Sequence, residues 1–136
     1  MRKCIGLLLA LAFAALPGCT TAPPRPEGTA WRLAGWSISS QRADEHVITA
    51  RFADGGISGR SAVNTYRGSA TFGGNDTLVI GPVATTRMAG PEPAMRAEGH
   101  YLGLLARVGA YRLGDARLTL LDGNGNELLV FEAAGD

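Results

Sequence analysis

The chain has 136 residues, of which 46% are hydrophobic and 18% charged, and its formal net charge is +1 at pH 7. This length allows one domain with a modest core and excludes two. Its basic residues form no run or stripe, which makes nucleic acid a poor candidate partner.

Residues 1–18, MRKCIGLLLALAFAALPG, have the pattern of a secretory signal peptide. Arg2 and Lys3 precede an apolar run from Ile5 to Leu16. A helix of this run would be roughly 18 Å long, whereas the hydrocarbon core of a bilayer is about 30 Å thick. The run is therefore too short for a permanent membrane span, and the sequence predicts export followed by removal of the segment.

The end of this segment, Leu16-Pro17-Gly18-Cys19, resembles a bacterial lipobox, in which the cysteine becomes the acylated first residue of the mature chain. Cys4 would leave with the signal, so the mature chain could form no internal disulfide. A lone free thiol is a liability in an oxidising compartment, which favours lipid attachment at Cys19. The alternative is an ordinary thiol after an ordinary cleavage site.

The residue after Cys19 is Thr20 rather than Asp. By resemblance to bacterial lipoproteins, this implies a lipid-anchored protein on the periplasmic face of the outer membrane of a Gram-negative bacterium. Residues 19–28 are rich in Pro and Thr and predict an extended tether. Residues 29–136 form the predicted domain, and the mature chain has 11 basic and 12 acidic residues.

Alternation of apolar and polar residues dominates this domain and predicts half-buried strands. The clearest runs are VITARFA at 47–53 and YRGSATF at 66–72. Their predicted inward residues are Ile48, Ala50 and Phe52 in the first run and Tyr66, Gly68, Ala70 and Phe72 in the second. Glycine-rich turns separate the runs.

Residues 91–108 instead show helical spacing, with Pro91 and Pro93 at the start. The predicted apolar positions are Met95, Tyr101 or Leu102, Leu105 and Val108. Short strands in two consecutive hairpins follow the helix. The sequence therefore predicts seven or eight strands, with the helix between the fourth or fifth strand and the last three. The fold class is mostly β (α+β): a small antiparallel β-barrel or strongly bent sheet with one α-helix packed against it.

Catalytic and metal-binding patterns are weak. His46 and His100 have no recognisable motif around them. Asp122, Asn124 and Asn126 alternate as in a calcium loop, but the glutamate required at position 12 of such a loop is missing, which favours a hairpin turn. We therefore expect no enzyme activity, no cofactor and no metal.

From Trp31 to Phe131 the chain resembles the META domain family, which includes the HslJ-like lipoproteins of bacteria. The matching pieces, in order, are WRL at 31–33, the segment ending in Asn64, Tyr66 and Gly68, ATTRMAGPEPAM at 84–95, a helix, and LTLLDGNGNELLVF at 118–131. Proteins of this family are associated with stress response and drug tolerance in bacteria and with motility or secretion in protozoa.

Two departures from the family pattern occur together. Where the family usually has Gly-Cys-Asn and Met-Ala-Cys, this chain has Ala62-Val63-Asn64 and Met88-Ala89-Gly90. The resemblance implies that the family's two cysteines form a disulfide, with the two positions facing each other, and that this chain lacks both halves. Such a bond would contribute roughly 3 kcal/mol.

The segment GRSAVNTYRG at 59–68 is the family's signature strand by this resemblance. Its polar residues are expected mainly to fix a turn and fill the core. The alternative is a binding surface formed, if they converge, by Asn64, Tyr66, Thr86, Arg87 and Met88. A guanidinium at Arg87 in apolar surroundings would need a partner.

Together, these features predict a non-enzymatic outer-membrane lipoprotein of the META type, acting as a binding module in envelope stress or maintenance. The alternative is a carrier or sensor of a small apolar ligand in the barrel interior, which rests on analogy of fold alone. A hydrolase is disfavoured because no catalytic set is recognisable. The expected partners are the membrane, through the lipid on Cys19, and an envelope protein or small ligand; we expect a monomer.

Overall fold

The computed structural model of the chain describes Gly18 and residues 24–135. The rest of the predicted signal peptide and the predicted lipid site, Cys19, lie outside the described residues, so both stay predictions. The strands are β1 (Ala30–Trp36), β2 (Thr49–Ala53), β3 (Gly56–Arg60), β4 (Thr65–Phe72), β5 (Leu78–Ile80), β6 (Ala84–Thr85), β7 (Ala110–Leu113), β8 (Arg117–Leu121) and β9 (Glu127–Ala133). The helix is α1 (Glu92–Leu105), and a short 3-10 turn spans Ala43–Glu45.

The strands form one antiparallel sheet in the order β5-β4-β3-β2-β1-β9-β8-β7, with β6 paired to β4. The two ends of this order meet at an isolated bridge between Thr77 and Ala110. Beside it, the Tyr111 amide donates to the carbonyl of Asp76 at 2.9 Å. The sheet is therefore a nearly closed barrel, which confirms the predicted fold class.

The predicted alternation holds in the strands. Ile48, Ala50 and Phe52 are all at most 1% exposed, while Arg51 between them is exposed. On β4, Tyr66 and Ala70 are buried and Arg67 is exposed. The barrel interior is filled by large, fully buried side chains, including Leu33, Phe52, Ile57, Tyr101, Leu118, Leu120, Leu129 and Phe131. Because this core and the barrel closure lie entirely within residues 24–135, we expect that part of the chain to fold on its own.

The helix α1 packs across the barrel through Tyr101. The Tyr101 ring lies edge-on to Phe131 of β9 and to Tyr66 of β4, with ring centroids 6.4 and 5.5 Å apart. Met95 was predicted to face the core but is 37% exposed, because the buried stripe of α1 runs through Ala97, Glu98, Tyr101, Leu104 and Leu105. The position of the helix also differs from the prediction: six strands precede it, since the two-residue β6 carries no alternation to detect.

The folded domain begins before Thr29, the predicted boundary. Pro26 is fully buried, and its carbonyl accepts a hydrogen bond from Nε1 of Trp31 at 3.2 Å. The Gly28 amide donates to the carbonyl of Phe52 at 2.9 Å. Residues 24–28 thus lie on the barrel, which corrects their assignment to the tether; residues 19–23 lie outside the described residues.

The segment after β8 is a hairpin turn, as predicted. Oδ1 of Asp122 accepts hydrogen bonds from the amides of Asn124 and Asn126, both at 2.9 Å. Strand β9 starts at Glu127, directly after this turn. The alternating Asp and Asn residues therefore shape the reversal between β8 and β9.

Gly59 is the first residue of the signature segment. The structure leaves no room for a side chain at this position. A Cβ at this position would collide with the carbonyl oxygen of Thr49 and lie 2.7 Å from its carbonyl carbon. The same carbonyl oxygen accepts a hydrogen bond from the Tyr66 hydroxyl at 2.8 Å. Because Gly59 has no side chain, the backbone of Thr49 can pack directly against it, and the Thr49 carbonyl can accept the hydrogen bond from Tyr66.

We predict that Gly59→Ala lowers the free energy of unfolding by about 1–3 kcal/mol, because the backbone of Thr49 must move. Gly99→Ala is the matched control, since a Cβ on this exposed residue of α1 meets nothing within 4 Å. In a helix interior, that change should instead stabilise by up to about 1 kcal/mol. Urea unfolding of the two variants measures both values, and equal effects would contradict the proposed crowding at Gly59.

Candidate functional site

The signature segment contains a tight loop, residues 61–64, that connects β3 to β4 and buries two polar residues. Ser61 is 0% exposed and Asn64 is 2% exposed. The Ser61 amide donates to the carbonyl of Asn64 at 2.8 Å, and the Ser61 hydroxyl, 3.0 Å from the same carbonyl, shares its one proton between that oxygen and a carboxylate of helix α1. These bonds close the loop and aim its remaining donors at helix α1.

The acceptor that faces this loop is Glu98 of α1, a carboxylate that is only 7% exposed. Its Oε2 accepts from the Ser61 hydroxyl at 2.9 Å, the Val63 amide at 3.2 Å and the Asn64 amide at 2.8 Å. Its Oε1 accepts from Nδ2 of Asn64 at 2.7 Å. Four donors thus satisfy a buried charge that has no cationic partner within 4 Å in the part of the chain that the structure describes.

The other side of Asn64 holds the segment after β6. Oδ1 of Asn64 accepts from the Met88 amide at 2.7 Å and from the Thr86 hydroxyl at 3.0 Å. Its Nδ2 also donates to the Met88 carbonyl at 3.2 Å. The Asn64–Glu98 pair therefore joins three pieces of chain: the β3–β4 loop, the segment before α1, and α1 itself.

The ionisation of Glu98 reflects two opposing effects. Burial by itself raises the pKa of Glu98, since it disfavours the charged form. The hydrogen bonds from Asn64, Ser61 and Val63 favour the charged form and together outweigh burial, so the pKa of Glu98 lies below its ordinary value. Glu98 is therefore ionised at neutral pH and acts as a fixed acceptor.

A second buried contact joins Tyr66 to Tyr101. Their hydroxyl oxygens lie 2.6 Å apart, and the Tyr66 hydroxyl also reaches the Thr49 carbonyl. Burial raises the pKa of both phenols well above the ordinary value. Tyr66 thus fills the core and fixes a contact between α1 and the sheet, which agrees with the structural interpretation of the signature strand.

The five residues of the predicted binding surface do not all converge. Asn64, Thr86, Arg87 and Met88 line one shallow surface pocket of about 400 Å³ together with Met95 and Glu98. Tyr66 does not line it. Arg87 is exposed to solvent, so its guanidinium does not lie in apolar surroundings. Met88 is also exposed, at 58%.

Glu98 was not among the residues predicted from the sequence to form a site. The helical spacing of the sequence could have identified it. Glu98 lies three residues before Tyr101 and seven before Leu105, so it falls in the buried stripe of α1. An acid in such a stripe needs donors, and the polar signature loop supplies them. Ser61 was noticed only as part of the segment, not as a partner of Glu98.

Val63 and Gly90 face each other, as the family resemblance implied. A Cβ built on Gly90 would lie 3.5 Å from the Cβ of Val63 and 2.7 Å from one of its methyl groups. Cβ separations in disulfides are about 3.5–4.5 Å. The two positions where the family has cysteines are therefore adjacent here, with Val63 occupying the space.

Ala62 carries backbone strain in the same loop. Its φ is +83°, a conformation that side chains with a Cβ rarely adopt, and the family usually has glycine here. We predict that Ala62→Gly raises the free energy of unfolding by about 1 kcal/mol, because it removes the steric cost. Ala62→Ser keeps the Cβ and should give no gain. Urea unfolding compares the two, and a gain in both would contradict the assignment of strain.

The histidines lie apart from this loop. Nε2 of His46 is 3.0 Å from Nε2 of Gln41, and the ring of His100 packs edge-on against Trp36 with centroids 6.0 Å apart. Within residues 24–135, no group of three or more His, Cys, Asp or Glu is placed to hold a metal ion. In the same residues, no helix is long and apolar enough to cross a membrane.

A nearly closed antiparallel barrel, with one helix tied to a signature loop by a buried glutamate, defines a small domain of mixed α and β structure. The model of the META domain family matches residues 25–135, and the chain belongs to that family. The solved NMR structure of a protein from Burkholderia xenovorans is similar, with 24% identity and a TM-score of 0.65, covering 89% of this chain and 98% of that one.

A second NMR structure is similar with 20% identity and a TM-score of 0.55, covering 76% of this chain and 87% of that chain. At these identities the likeness concerns the fold alone. No curated protein matches the chain in sequence.

Proposed function

We propose that this META domain protein is a non-enzymatic binding module of the bacterial envelope, anchored by a lipid on Cys19 to the periplasmic face of the outer membrane. The signal-peptide pattern and the lipobox-like Leu16–Cys19 support the anchor. Thr20 after the cysteine supports the outer membrane as its destination. We also propose a role in envelope stress or maintenance, which rests on the resemblance to the family.

The main support for a binding role is that the polar residues of the signature segment are already occupied by hydrogen bonds within the domain. Asn64, Thr86 and Glu98 are engaged with one another and with the backbone, so they hold the domain together rather than activate a nucleophile. What the network presents to solvent is the backbone segment with Arg87 and Met88, beside the pocket of about 400 Å³. A fixed, exposed segment of this kind is suited to recognition of a partner.

The packed interior speaks against a carrier of apolar ligands in the barrel. The space along the barrel is filled by the fully buried side chains of the core, Tyr101 and Phe131 among them. An apolar cavity of about 340 Å³, lined in part by Pro82, Val83 and Leu102, lies outside that core, between α1 and the β5–β6 connection. Binding would therefore take place at the surface.

Labelling with a palmitate analogue in a Gram-negative host tests the anchor. The wild-type chain should carry the label and fractionate with the outer membrane, whereas Cys19→Ala should be unlabelled and leave that fraction. Thr20→Asp should keep the label but redirect the protein to the inner membrane. An unlabelled wild-type chain, or a Cys19→Ala protein that stays in the membrane fraction, would contradict the proposal.

A further inference from the structure

An open groove of about 610 Å³ lies on the outer face of β3 and β4. Strand β2 borders it on one side and β6 on the other. Its lining includes the guanidinium-bearing Arg60 and Arg67 and the hydroxyl-bearing Thr49, Ser58, Thr65, Thr85 and Thr86. The groove thus combines two cationic groups with several hydroxyls on the outer face of the sheet, whereas the core beneath it is apolar.

The strand register brings the two arginines together. Arg60 pairs with Thr65 and Ser58 pairs with Arg67 across β3 and β4, and all four are exposed. Arg60 and Arg67 are therefore diagonal neighbours on one face, a relation that places positions about 7–8 Å apart. Nε of Arg60 donates to the Ala62 carbonyl at 3.2 Å, which directs the side chain while leaving its terminal nitrogens available.

The described residues place no carboxylate within 4.0 Å of either arginine. Within residues 24–135, Arg42, Arg96, Arg107, Arg112 and Arg117 each lie within 4.0 Å of a carboxylate, whereas Arg60 and Arg67 do not. The strands β2, β3 and β4 contain no acidic residue. Between residues 55 and 91, the only acid is Asp76. Two adjacent positive charges without a partner repel each other, and a bound anion would relieve that repulsion.

We propose that this groove binds the phosphate group of a small, hydroxyl-rich phosphomonoester, such as a sugar phosphate. A phosphomonoester carries nearly two negative charges at pH 7, which matches two guanidinium groups. Guanidinium forks bind phosphate oxygens in pairs, which gives geometric specificity as well as affinity. The hydroxyls of Ser58, Thr65 and Thr85 can bond the rest of the ligand, and the volume lies in the range of small-molecule sites.

This inference names a ligand class for the proposed binding module and rests on that proposal. Its test does not depend on the lipid. A protein of residues 24–136 is titrated with glucose 6-phosphate, inorganic phosphate and glucose while ¹⁵N-edited NMR spectra are recorded. Glucose 6-phosphate should give saturable shifts at the Nε–H groups of Arg60 and Arg67 and at the amides of Ser58 and Thr85. Binding should weaken with added salt.

Arg60→Gln and Arg67→Gln should each weaken binding by about tenfold, the loss expected for one charge-assisted hydrogen bond. Arg112→Gln is the matched control, because it removes one exposed arginine that is paired with Glu127 at 3.2 Å. It should leave binding unchanged. An equal loss in all three variants would overturn the site, since net charge alone would then explain the shifts.

Three further outcomes would also overturn the proposal. They are the absence of saturable shifts, equal affinity for inorganic phosphate and glucose 6-phosphate, and binding to phosphatidylglycerol vesicles with no response to the sugar phosphate. Failure of the titration while the wild-type chain still carries the palmitate label would reject the ligand and keep the anchor. If the wild-type chain carries no palmitate label but still binds glucose 6-phosphate, the anchor is rejected and the ligand is kept.

Discussion

Replacement of Glu98 by alanine should lower the free energy of unfolding by about 3–5 kcal/mol. The change removes the acceptor of the Val63 and Asn64 amides and of one Nδ2 proton of Asn64, while the Ser61 hydroxyl can still donate to the Asn64 carbonyl. Each unsatisfied buried donor costs about 1–3 kcal/mol, and water entering the cavity recovers part of that cost. Since small domains are stable by about 5–15 kcal/mol, Glu98→Ala should remove a large share of the stability.

Glu98→Gln provides the finer test, because it keeps the size of the side chain. Its single oxygen can replace Oε2, but its amide group must then face Nδ2 of Asn64, which is also a donor. We expect a loss of about 1–3 kcal/mol. Glu132→Gln, at an exposed carboxylate 3.8 Å from Arg117, should change stability by less than about 0.5 kcal/mol. Urea unfolding followed by the fluorescence of the buried Trp31 measures all three variants. If all three variants lost equally little stability, the structural role of Glu98 would be contradicted.

The loss in Glu98→Gln should depend on pH. The pKa of Glu98 is lowered in the folded protein, so the unfolded chain binds its proton more readily than the folded one does. The stability that Glu98 contributes is therefore complete above its ordinary pKa of about 4.3 and disappears as the pH falls through its folded value. The difference between wild type and Glu98→Gln should shrink as the pH falls below that ordinary value and through the lowered pKa of the folded protein. A difference that grows in acid would contradict the assigned direction.

The sequence predicted the barrel well because strands with one buried face carry a direct pattern. Ile48, Ala50 and Phe52 alternate with polar residues, and that alternation determines which face is buried. Strand β6 has two residues, too few for any alternation, and so it was missed. The tether was extended too far because Pro26 carries little apolar bulk, whereas its burial depends on a long-range contact with the barrel.

The candidate site was only partly predictable, since its central contact joins distant parts of the chain. Asn64 and Glu98 are 34 residues apart, and no local pattern records a hydrogen bond over that separation. The binding-surface interpretation of Asn64, Tyr66 and Thr86 noted their polarity but not their partners. Once Glu98 is placed in the buried stripe of α1, the same polarity identifies Asn64 and Thr86 as members of a structural network.

Cysteines introduced at positions 63 and 90 should form a disulfide and raise the free energy of unfolding by about 3–4 kcal/mol. A Cβ on Gly90 would lie 3.5 Å from that of Val63, within the range of disulfides. Gly90 is not among the glycines with positive φ, so its backbone accepts a side chain. In the chain-entropy account, a loop of this length is worth a few kcal/mol, because the bond restricts the unfolded state.

The double variant is needed because Gly90→Cys alone would crowd the methyl groups of Val63, 2.7 and 3.0 Å from the new Cβ. A protein of residues 24–136 contains no other cysteine, so a thiol assay after oxidation reports this pair alone. Val63→Ser with Gly90→Ser is the matched control, since serine has a similar shape and cannot form the bond. Free thiols after oxidation, or equal unfolding midpoints for the oxidised and reduced protein, would contradict the adjacency of the two positions.

The same bond should also reduce the cost of losing Glu98. The disulfide would link the β3–β4 loop to the segment just before α1, two of the pieces that the Asn64–Glu98 pair holds together. Residues that support the same contact are coupled by about 0.5–3 kcal/mol in double-mutant cycles. We therefore expect Glu98→Gln to cost less in the oxidised double-cysteine protein than in the reduced one. Equal costs in the two redox states would mean that the disulfide and the glutamate stabilise independent parts of the domain.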